Sequence, residues 1–257
     1  MKPLEGGRTG QIWRDGDTVI RPSGAWTPTV HRFLRHLRSR GFPGAPHPIE
    51  ITGNQEVVSY VAGRVCEDLS DQFVGSERML LSAAKLLREF HSASHGFLES
   101  DREVQAWMLP PQEPYEIICH GDYAPYNIAT AGHEAVGIID FDTAHPAPRL
   151  WDLAYSVYRW APLSDPANPD VTFGLLDEQL QRAEIFCTAY GATMQERLQL
   201  PEMICRRLQA LVDYILPSAA AGDETFVEHV ARGDARLYLS DMQYVRSHRD
   251  RLLKALC

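Results

Sequence analysis

Short apolar runs separated by turn residues predict β-strands over about the first sixty residues. The turns are Asp15-Gly16 and Gly53-Asn54, dipeptides that favour tight connections between strands. The strand-like runs on either side of these turns cover residues 11–13, 18–21, 49–52 and 56–61. This part of the chain is therefore expected to form a small sheet.

A helical pattern interrupts the predicted sheet. Thr27 is the expected N-cap of a helix with Pro28 in its first turn, and Gly41 is expected to end that helix. Its apolar face consists of Val30, Phe33, Leu34 and Leu37. The spacing predicts an amphipathic helix packed on one side.

Apolar residues at helical spacing dominate the remainder of the chain. They predict a helix over Ser76–His95 and three more from residue 172 onward, divided by Gly191-Ala192 and by residues 217–222. A chain of 257 residues can form one large domain or two lobes that share a cleft.

Three polar residues stand at the ends of strand-like runs in the middle of the chain. Asp122 follows a run that closes with His120-Gly121, and two further runs, 128–130 and 135–139, predict a hairpin. Asn127 and Asp140 lie at the two open ends of that hairpin, about one strand spacing, roughly 5 Å, apart. The pattern brings the three side chains to one rim.

These residue types suit phosphoryl transfer. An Asn amide oxygen and an Asp carboxylate are hard ligands for Mg²⁺, which also binds substrate phosphates. Asp122 on the same rim can accept the proton of an attacking hydroxyl. The predicted site is that of a phosphotransferase.

The motifs HGDYAPYN, IIDFD and RLWDLA occur in this order between residues 120 and 154. They resemble signatures of the aminoglycoside phosphotransferase and choline kinase family, which is related to the protein kinases. The resemblance implies a two-lobed α+β fold, with a nucleotide-binding lobe at 1–61 and a mainly helical catalytic lobe at 62–257. It also implies that Asp122 is the catalytic base, that Asn127 and Asp140 bind Mg²⁺, and that ATP or GTP donates the phosphoryl group.

The expected nucleotide-binding residues lie in the first lobe. Gly7 and Gly10 form a glycine-bearing turn that lets backbone N–H groups approach phosphates. The resemblance also implies that backbone groups near Ser59 and Val61 bind the nucleotide base. Arg21 stands where the family carries a phosphate-gripping lysine, and a guanidinium can bind phosphate oxygens in a two-point fork.

The usual acidic partner of that lysine is missing from the first helix. No Asp or Glu occurs between Pro22 and Pro48. An acid elsewhere could orient Arg21, the fork could act without a partner, or nucleotide binding could be impaired. This departure leaves a nucleotide-binding pseudokinase open as an alternative, and a metal-dependent phosphohydrolase could use the same carboxylates.

Composition and charge limit the expected compartment and partners of the protein. The five cysteines are dispersed and form no C-x-x-C pair, so we expect free thiols in the cytoplasm. The net charge of -9 argues against a nucleic-acid partner. The chain contains no apolar run long enough to span a bilayer, so a membrane-bound protein is not expected. The expected partner is a small hydroxyl compound such as an antibiotic, choline-like amine, sugar or nucleoside. The oligomeric state is expected to be a monomer or homodimer.

The negative charge is compatible with a cationic acceptor. The resemblance implies that acids of the C-terminal helices could bind an ammonium group of the acceptor. The candidates are Asp177, Glu178, Glu184, Asp213 and Asp241. Two other polar residues are expected to be structural. His91 lacks the helical acid of a metal-binding motif, and Asp152 is expected to secure the catalytic loop.

Overall fold

The computed structural model describes residues 1–4, 12–66, 73–101, 103–166, 168 and 174–257. Its first part contains an antiparallel sheet with the strand order β1-β2-β3-β5-β4. The strands are β1 (Lys2–Pro3), β2 (Trp13–Asp15), β3 (Thr18–Pro22), β4 (Pro48–Thr52) and β5 (Gln55–Ser59). Both predicted turns connect neighbouring strands.

Helix α1 (Thr27–Ser39) connects β3 to β4. Trp26, rather than Thr27, is the N-cap residue, so the predicted start was wrong by one residue. The Thr27 hydroxyl instead accepts a hydrogen bond from the Gly24 N–H at 2.8 Å, which closes the turn before the helix. Gly41, with φ of 80°, follows the helix end as predicted.

The motifs HGDYAPYN and IIDFD lie where short strands end, and RLWDLA opens a helix. Strand β7 (Ile117–Cys119) pairs with β10 (His145–Ala147), while β8 (Ile128–Ala131) and β9 (Glu134–Ile138) form the predicted hairpin beside β6 (Arg64–Val65). The hairpin turn contains Gly132 at φ 61°. Because Ile128 pairs with Ile138, the two ends of the hairpin are adjacent.

The described helices after the small sheet surround one apolar core. They are α2 (Glu77–Ser94), α3 (Phe97–Ser100), α4 (Arg149–Trp160), α5 (Leu176–Tyr190), α6 (Met194–Ala220), α7 (Glu224–Arg232), α8 (Asp234–Ser247) and α9 (Arg249–Leu256). Phe33 of α1 packs edge-on against Phe90 of α2, with ring centroids 6.0 Å apart. This contact joins α1 to the core of the helical part.

The prediction of three helices after residue 172 was wrong, because that region contains the five helices α5 to α9. Pro217 lies inside α6 rather than ending it. Gly233, at φ 90°, alone separates α7 from α8, and such a short connection leaves no gap in the apolar pattern. No helix in the described ranges is both long and apolar enough to span a bilayer.

Candidate active site

The loop that carries Asp122 begins where β7 ends. Gly121 has φ of 82°, and a Cβ atom at this position would collide with the carbonyl of Thr143. A side chain there would therefore be excluded both by backbone conformation and by space. The sequence prediction of a sharp turn before Asp122 agrees with this geometry.

Asp152 holds the backbone of this loop. Its Oδ2 atom accepts from the His120 N–H at 2.7 Å, and its Oδ1 atom accepts from the Gly121 N–H at 3.0 Å. His91 Nε2 lies 3.0 Å from the same Oδ2, and His91 Nδ1 lies 2.7 Å from the Tyr190 hydroxyl. The carboxylate thus orients two consecutive peptide groups, as expected of a residue that secures the loop.

The charge states of this pair follow from burial and hydrogen bonding. Burial alone would raise the pKa of Asp152, but the hydrogen bond and charge of His91, with the His120 contacts, lower it to about 2. Burial lowers the pKa of His91. At neutral pH, where the lowered pKa leaves His91 uncharged, its Nε2 donates to the ionised Asp152 and its Nδ1 accepts from Tyr190; His91 carries a charge only at low pH.

Asp122 lies within hydrogen-bond reach of two neighbours. The Tyr126 hydroxyl donates to its Oδ1 at 2.7 Å, and Asn127 Nδ2 donates to its Oδ2 at 2.9 Å. Burial raises the pKa of Asp122, and the Tyr126 hydrogen bond opposes part of that shift. The Tyr126 hydroxyl also lies 3.2 Å from the Tyr155 hydroxyl, which extends the polar chain away from the carboxylate.

Asn127 and Asp140 stand at the two ends of the hairpin. The Ile139 N–H donates to the Asn127 carbonyl at 2.9 Å, so the two ends remain paired beyond the strands. Asp140 has φ of 61°, a left-handed conformation that is uncommon for a residue other than glycine. Such a conformation persists where the surrounding structure holds the backbone.

The donor atoms of these two residues fit a hard metal ion. Asn127 uses its Nδ2 atom on Asp122, and within the described ranges no hydrogen bond uses its Oδ1. Asp140 uses Oδ1 on Arg21, which leaves Oδ2 without a hydrogen bond in the same part of the chain. An amide oxygen and a carboxylate oxygen side by side are ligands that Mg²⁺ accepts.

Arg21 reaches three carboxylates. Its Nε donates to Glu56 Oε1 at 2.8 Å, its Nη1 to Asp140 Oδ1 at 2.9 Å and its Nη2 to Asp142 Oδ1 at 2.8 Å. Burial opposes the charge of Arg21, but the carboxylates outweigh it and raise the pKa. The side chain therefore connects the small sheet to the loop after β9.

Glu56 is the acid that orients Arg21. It is 1% exposed, and it lies directly opposite Arg21 in the ladder between β3 and β5. Its second oxygen, Oε2, lies 2.7 Å from Nε2 of His31, which belongs to α1. Of the three alternatives, the acid therefore comes from elsewhere, namely the neighbouring strand, and α1 contributes a histidine instead.

The remaining nucleotide-binding candidates have different positions. Gly7 and Gly10 lie outside the described residues. The Ser59 N–H donates to the His47 carbonyl at 2.8 Å, so it is already used within the protein. No described residue forms a hydrogen bond with the main chain of Val61, which leaves both of its backbone groups available.

Two cavities meet at the rim. The hinge cavity, of about 740 Å³, is lined by Val19, Leu34, Ser59, Val61 and Asn127 among others. The helix cavity, of about 470 Å³, is lined by Trp26, Met108, Arg207, Tyr214 and Tyr238 among others. Both cavities are lined by Ile12, Arg21, Asp122, Tyr126, Asp140, Thr225 and His229. The predicted base and one predicted metal ligand thus face both spaces.

The five C-terminal acids suggested for an ammonium group line neither cavity. Asp241 is buried and accepts from Tyr158, Asn168 and the Asp165 N–H, at 2.7 to 2.8 Å. Others pair with neighbours on the surface, such as Asp213 with Gln209 at 2.8 Å. The structure gives no support to these residues as substrate ligands.

The sequence interpretation overlooked Glu56, His31 and Arg207. A signal existed for two of them. Glu56 alternates with Val58 on the buried face of β5, and Arg207 falls within the apolar stripe of α6 between Ile204 and Leu208. A charged residue at a core position is rarely tolerated without a specific partner or role.

Comparison with known structures defines the fold. A choline/ethanolamine kinase family protein from Mesorhizobium loti is similar, with a TM-score of 0.65 and 16% identity over 99% of this chain and 91% of that chain. Amicoumacin kinase hAmiN, solved with AMP-PNP and Ca²⁺, has a TM-score of 0.61 at 10% identity over 89% of this chain and 88% of that chain. The fold is the two-lobed α+β fold of protein-kinase-like phosphotransferases, as predicted.

Sequence comparison agrees with the predicted resemblance over part of the chain. The model of the phosphotransferase enzyme family matches residues 97–186. The predicted resemblance to the aminoglycoside phosphotransferase and choline kinase family is confirmed. The trifolitoxin immunity protein of Rhizobium leguminosarum bv. trifolii is 29% identical over 203 residues, which cover 75% of this chain and 74% of that protein.

Proposed function

We propose that this chain is a small-molecule kinase, which transfers a phosphoryl group from ATP or GTP to a hydroxyl group in the presence of Mg²⁺. The observation that carries the proposal is the meeting of two cavities at Asp122 and Asp140. One cavity is adjacent to the segment around Val61, and the other lies among the C-terminal helices. A donor in one cavity and an acceptor in the other can therefore reach the same carboxylates.

In this proposal the hinge cavity holds the nucleotide. The free backbone groups of Val61 bind the base, and the side chain of Ser59 lines the same space. Gly7 and Gly10 approach the phosphates, and Arg21 binds phosphate oxygens through its Nη atoms while Glu56 holds its Nε. The lobes at 1–61 and 62–257 then contribute opposite walls of one cleft.

Asp122 is the proposed catalytic base. Tyr126 and Asn127 fix its two oxygens, and the carboxylate accepts the proton of the acceptor hydroxyl. The acceptor oxygen forms a bond to the terminal phosphorus, the bond from that phosphorus to the bridging oxygen breaks, and the nucleoside diphosphate leaves. Mg²⁺ held by Asn127 and Asp140 would supply neutralising charge at the phosphates.

The substrate class follows from the relatives only as a proposal. One relative is named for immunity to trifolitoxin, and one similar structure is named as an amicoumacin kinase. An acceptor from the class of hydroxyl-bearing antimicrobial compounds is consistent with both names. We propose a protective phosphorylation of such a compound, in the same compartment as the nucleotide, the cytoplasm.

The test is nucleotide turnover by wild type and Asp122→Asn. We expect the release of ADP or GDP with a panel of alcohols to fall by about 10² to 10⁴ in the variant, because the proton acceptor is lost. Nucleotide affinity, measured by thermal shift with Mg²⁺, should remain close to wild type. Unchanged turnover in the variant would refute the role of Asp122.

The same experiment separates the alternatives. Nucleotide binding without transfer to any alcohol would indicate a pseudokinase. Phosphate release from a phosphomonoester in the absence of nucleotide would indicate a phosphohydrolase. If the protein is a kinase, the thermal shift that magnesium nucleotide produces in wild type should be lost in Asp140→Ala.

A further inference from the structure

Arg207 is a buried cation in the wall of the helix cavity. It is 3% exposed, and its Nη2 donates to the carbonyl of Gly121, next to the proposed base. Its guanidinium carbon lies 4.6 Å from the ring centroid of Tyr155 and 5.4 Å from that of Trp151. The side chain is therefore held rigidly beside the catalytic loop by aromatic rings and one backbone bond.

The charge of Arg207 has no carboxylate partner in the described part of the chain. No ion pair among the described residues involves its guanidinium, and its Nε atom has no hydrogen-bond partner there. A buried cation without a counter-charge is costly, since the rings replace only part of its hydration. An anion entering the cavity would provide the missing charge.

The other walls of the helix cavity are mainly aromatic and apolar. Tyr214 and Phe226 pack edge-on with centroids 5.2 Å apart, and Leu211 and Tyr238 line the same space. The carboxylates of the cavity, Asp122, Asp140 and Asp142, all belong to the rim where the proposed chemistry occurs. A polycationic acceptor in this cavity would be repelled by Arg207, and the cavity has no carboxylate away from the rim to bind it.

We propose that Arg207 binds a carboxylate of the acceptor, so that the kinase selects a hydroxy acid with an apolar or aromatic body. The inference rests on the proposed function, because it takes the helix cavity as the acceptor site. The hydrogen bond from Arg207 to the Gly121 carbonyl places the guanidinium beside the residue that precedes Asp122. The carboxylate and the reacting hydroxyl are therefore close together in the acceptor, as in 3-phenyllactate.

The test compares acids with their own amides. A panel of aromatic and aliphatic hydroxy acids, including 3-phenyllactate, is assayed beside the matching hydroxy amides and the polycation kanamycin, by ADP and GDP release and by thermal shift. In wild type we expect at least one acid to show a KM about tenfold or more below that of its amide, as a charge-assisted hydrogen bond provides. Arg207→Met should abolish the difference, and Arg207→Lys should retain part of it.

Arg206→Met is the matched control, because Arg206 is the adjacent residue on the same helix and its side chain is exposed. It should leave the preference for acids intact. If Arg207→Met does not fold, the wild-type comparison and Arg207→Lys still decide the matter. No preference for any acid over its amide, or tighter binding of kanamycin than of every acid, overturns the proposal.

Failure of the inference is distinguishable from failure of the proposed function. The thermal shift by magnesium nucleotide and its loss in Asp140→Ala do not involve Arg207. If that shift and transfer to some alcohol are present without any preference for acids, only the assignment of Arg207 fails. If no nucleotide shift and no transfer are seen, the kinase proposal itself fails.

Discussion

Two buried pairs, each of a carboxylate and a histidine, support opposite sides of the candidate site. Asp152 and His91 lie 3.0 Å apart below the loop of Asp122, while Glu56 and His31 lie 2.7 Å apart beneath Arg21. In both pairs the histidine contacts the acid through Nε2. The same chemistry thus recurs on two unrelated parts of the chain.

The pairs differ in what they hold. Asp152 binds two backbone N–H groups, and all of its partners are buried within the helical lobe. Glu56 binds the side chain of Arg21, whose other nitrogen atoms end on acids at the cleft, including Asp140, which is 47% exposed. Backbone contacts maintain a fixed loop, whereas a guanidinium on a flexible stem can exchange one anion for another.

The largest effect should come from removing the carboxylate of the loop pair. We expect Asp152→Ala to lower the free energy of unfolding by about 3 to 5 kcal/mol, because it leaves buried N–H groups and His91 without their acceptor. Urea denaturation measures this change. Asp250→Ala, at an exposed position on α9, is the control and should cost less than about 0.5 kcal/mol. Equal costs for the two variants would contradict the role of Asp152.

A smaller and different effect should follow from changing the other pair. Glu56→Gln removes the charge that holds Arg21 Nε, so we expect nucleotide affinity to fall about tenfold, while unfolding is affected less than in Asp152→Ala. Titration calorimetry with magnesium nucleotide measures the affinity. Glu50→Gln is matched to it, because Glu50 is an exposed acid in strand β4 of the same sheet. If Glu56→Gln lowered the free energy of unfolding more than Asp152→Ala does, the distinction between the two pairs would be lost.

The pH dependence of stability should sharpen the comparison further. The pKa of Asp152 falls on folding from 3.8 to about 2, so its ionised form stabilises the fold above about pH 4 and this contribution is lost as the pH falls towards 2. The stability difference between wild type and Asp152→Asn should therefore narrow by about 1 kcal/mol from pH 6 to pH 3. Urea denaturation across this range tests it, and a constant difference would show that Asp152 is not the titrating group.

The smallest effect is expected at Asp142. Asp142→Asn weakens one of the anions that bind Arg21, so a phosphate competes with one carboxylate fewer and nucleotide affinity should rise by about threefold. The same calorimetric titration measures it. A tenfold loss of affinity would instead mean that Asp142 holds Arg21 in its phosphate-binding position.

The sequence alone determined the part of the site that local geometry controls. Asp122, Asn127 and Asp140 belong to one loop and one hairpin, and the strand period with a short glycine-containing turn is enough to bring their ends together. The hydrogen bond from Asn127 to Asp122 and the pairing of Ile139 with Asn127 agree with that expectation. Their chemical roles remain proposals that the variants above address.

Only the tertiary structure decided the long-range partners. Glu56 meets Arg21 across 35 residues through the register of β3 and β5, and Arg207 meets Gly121 across 86 residues through the packing of α6. A one-residue change of register would turn Glu56 to the other face of the sheet, and apolar periodicity does not encode which helix faces the loop. The charges that complete this site depend on contacts that no local pattern contains.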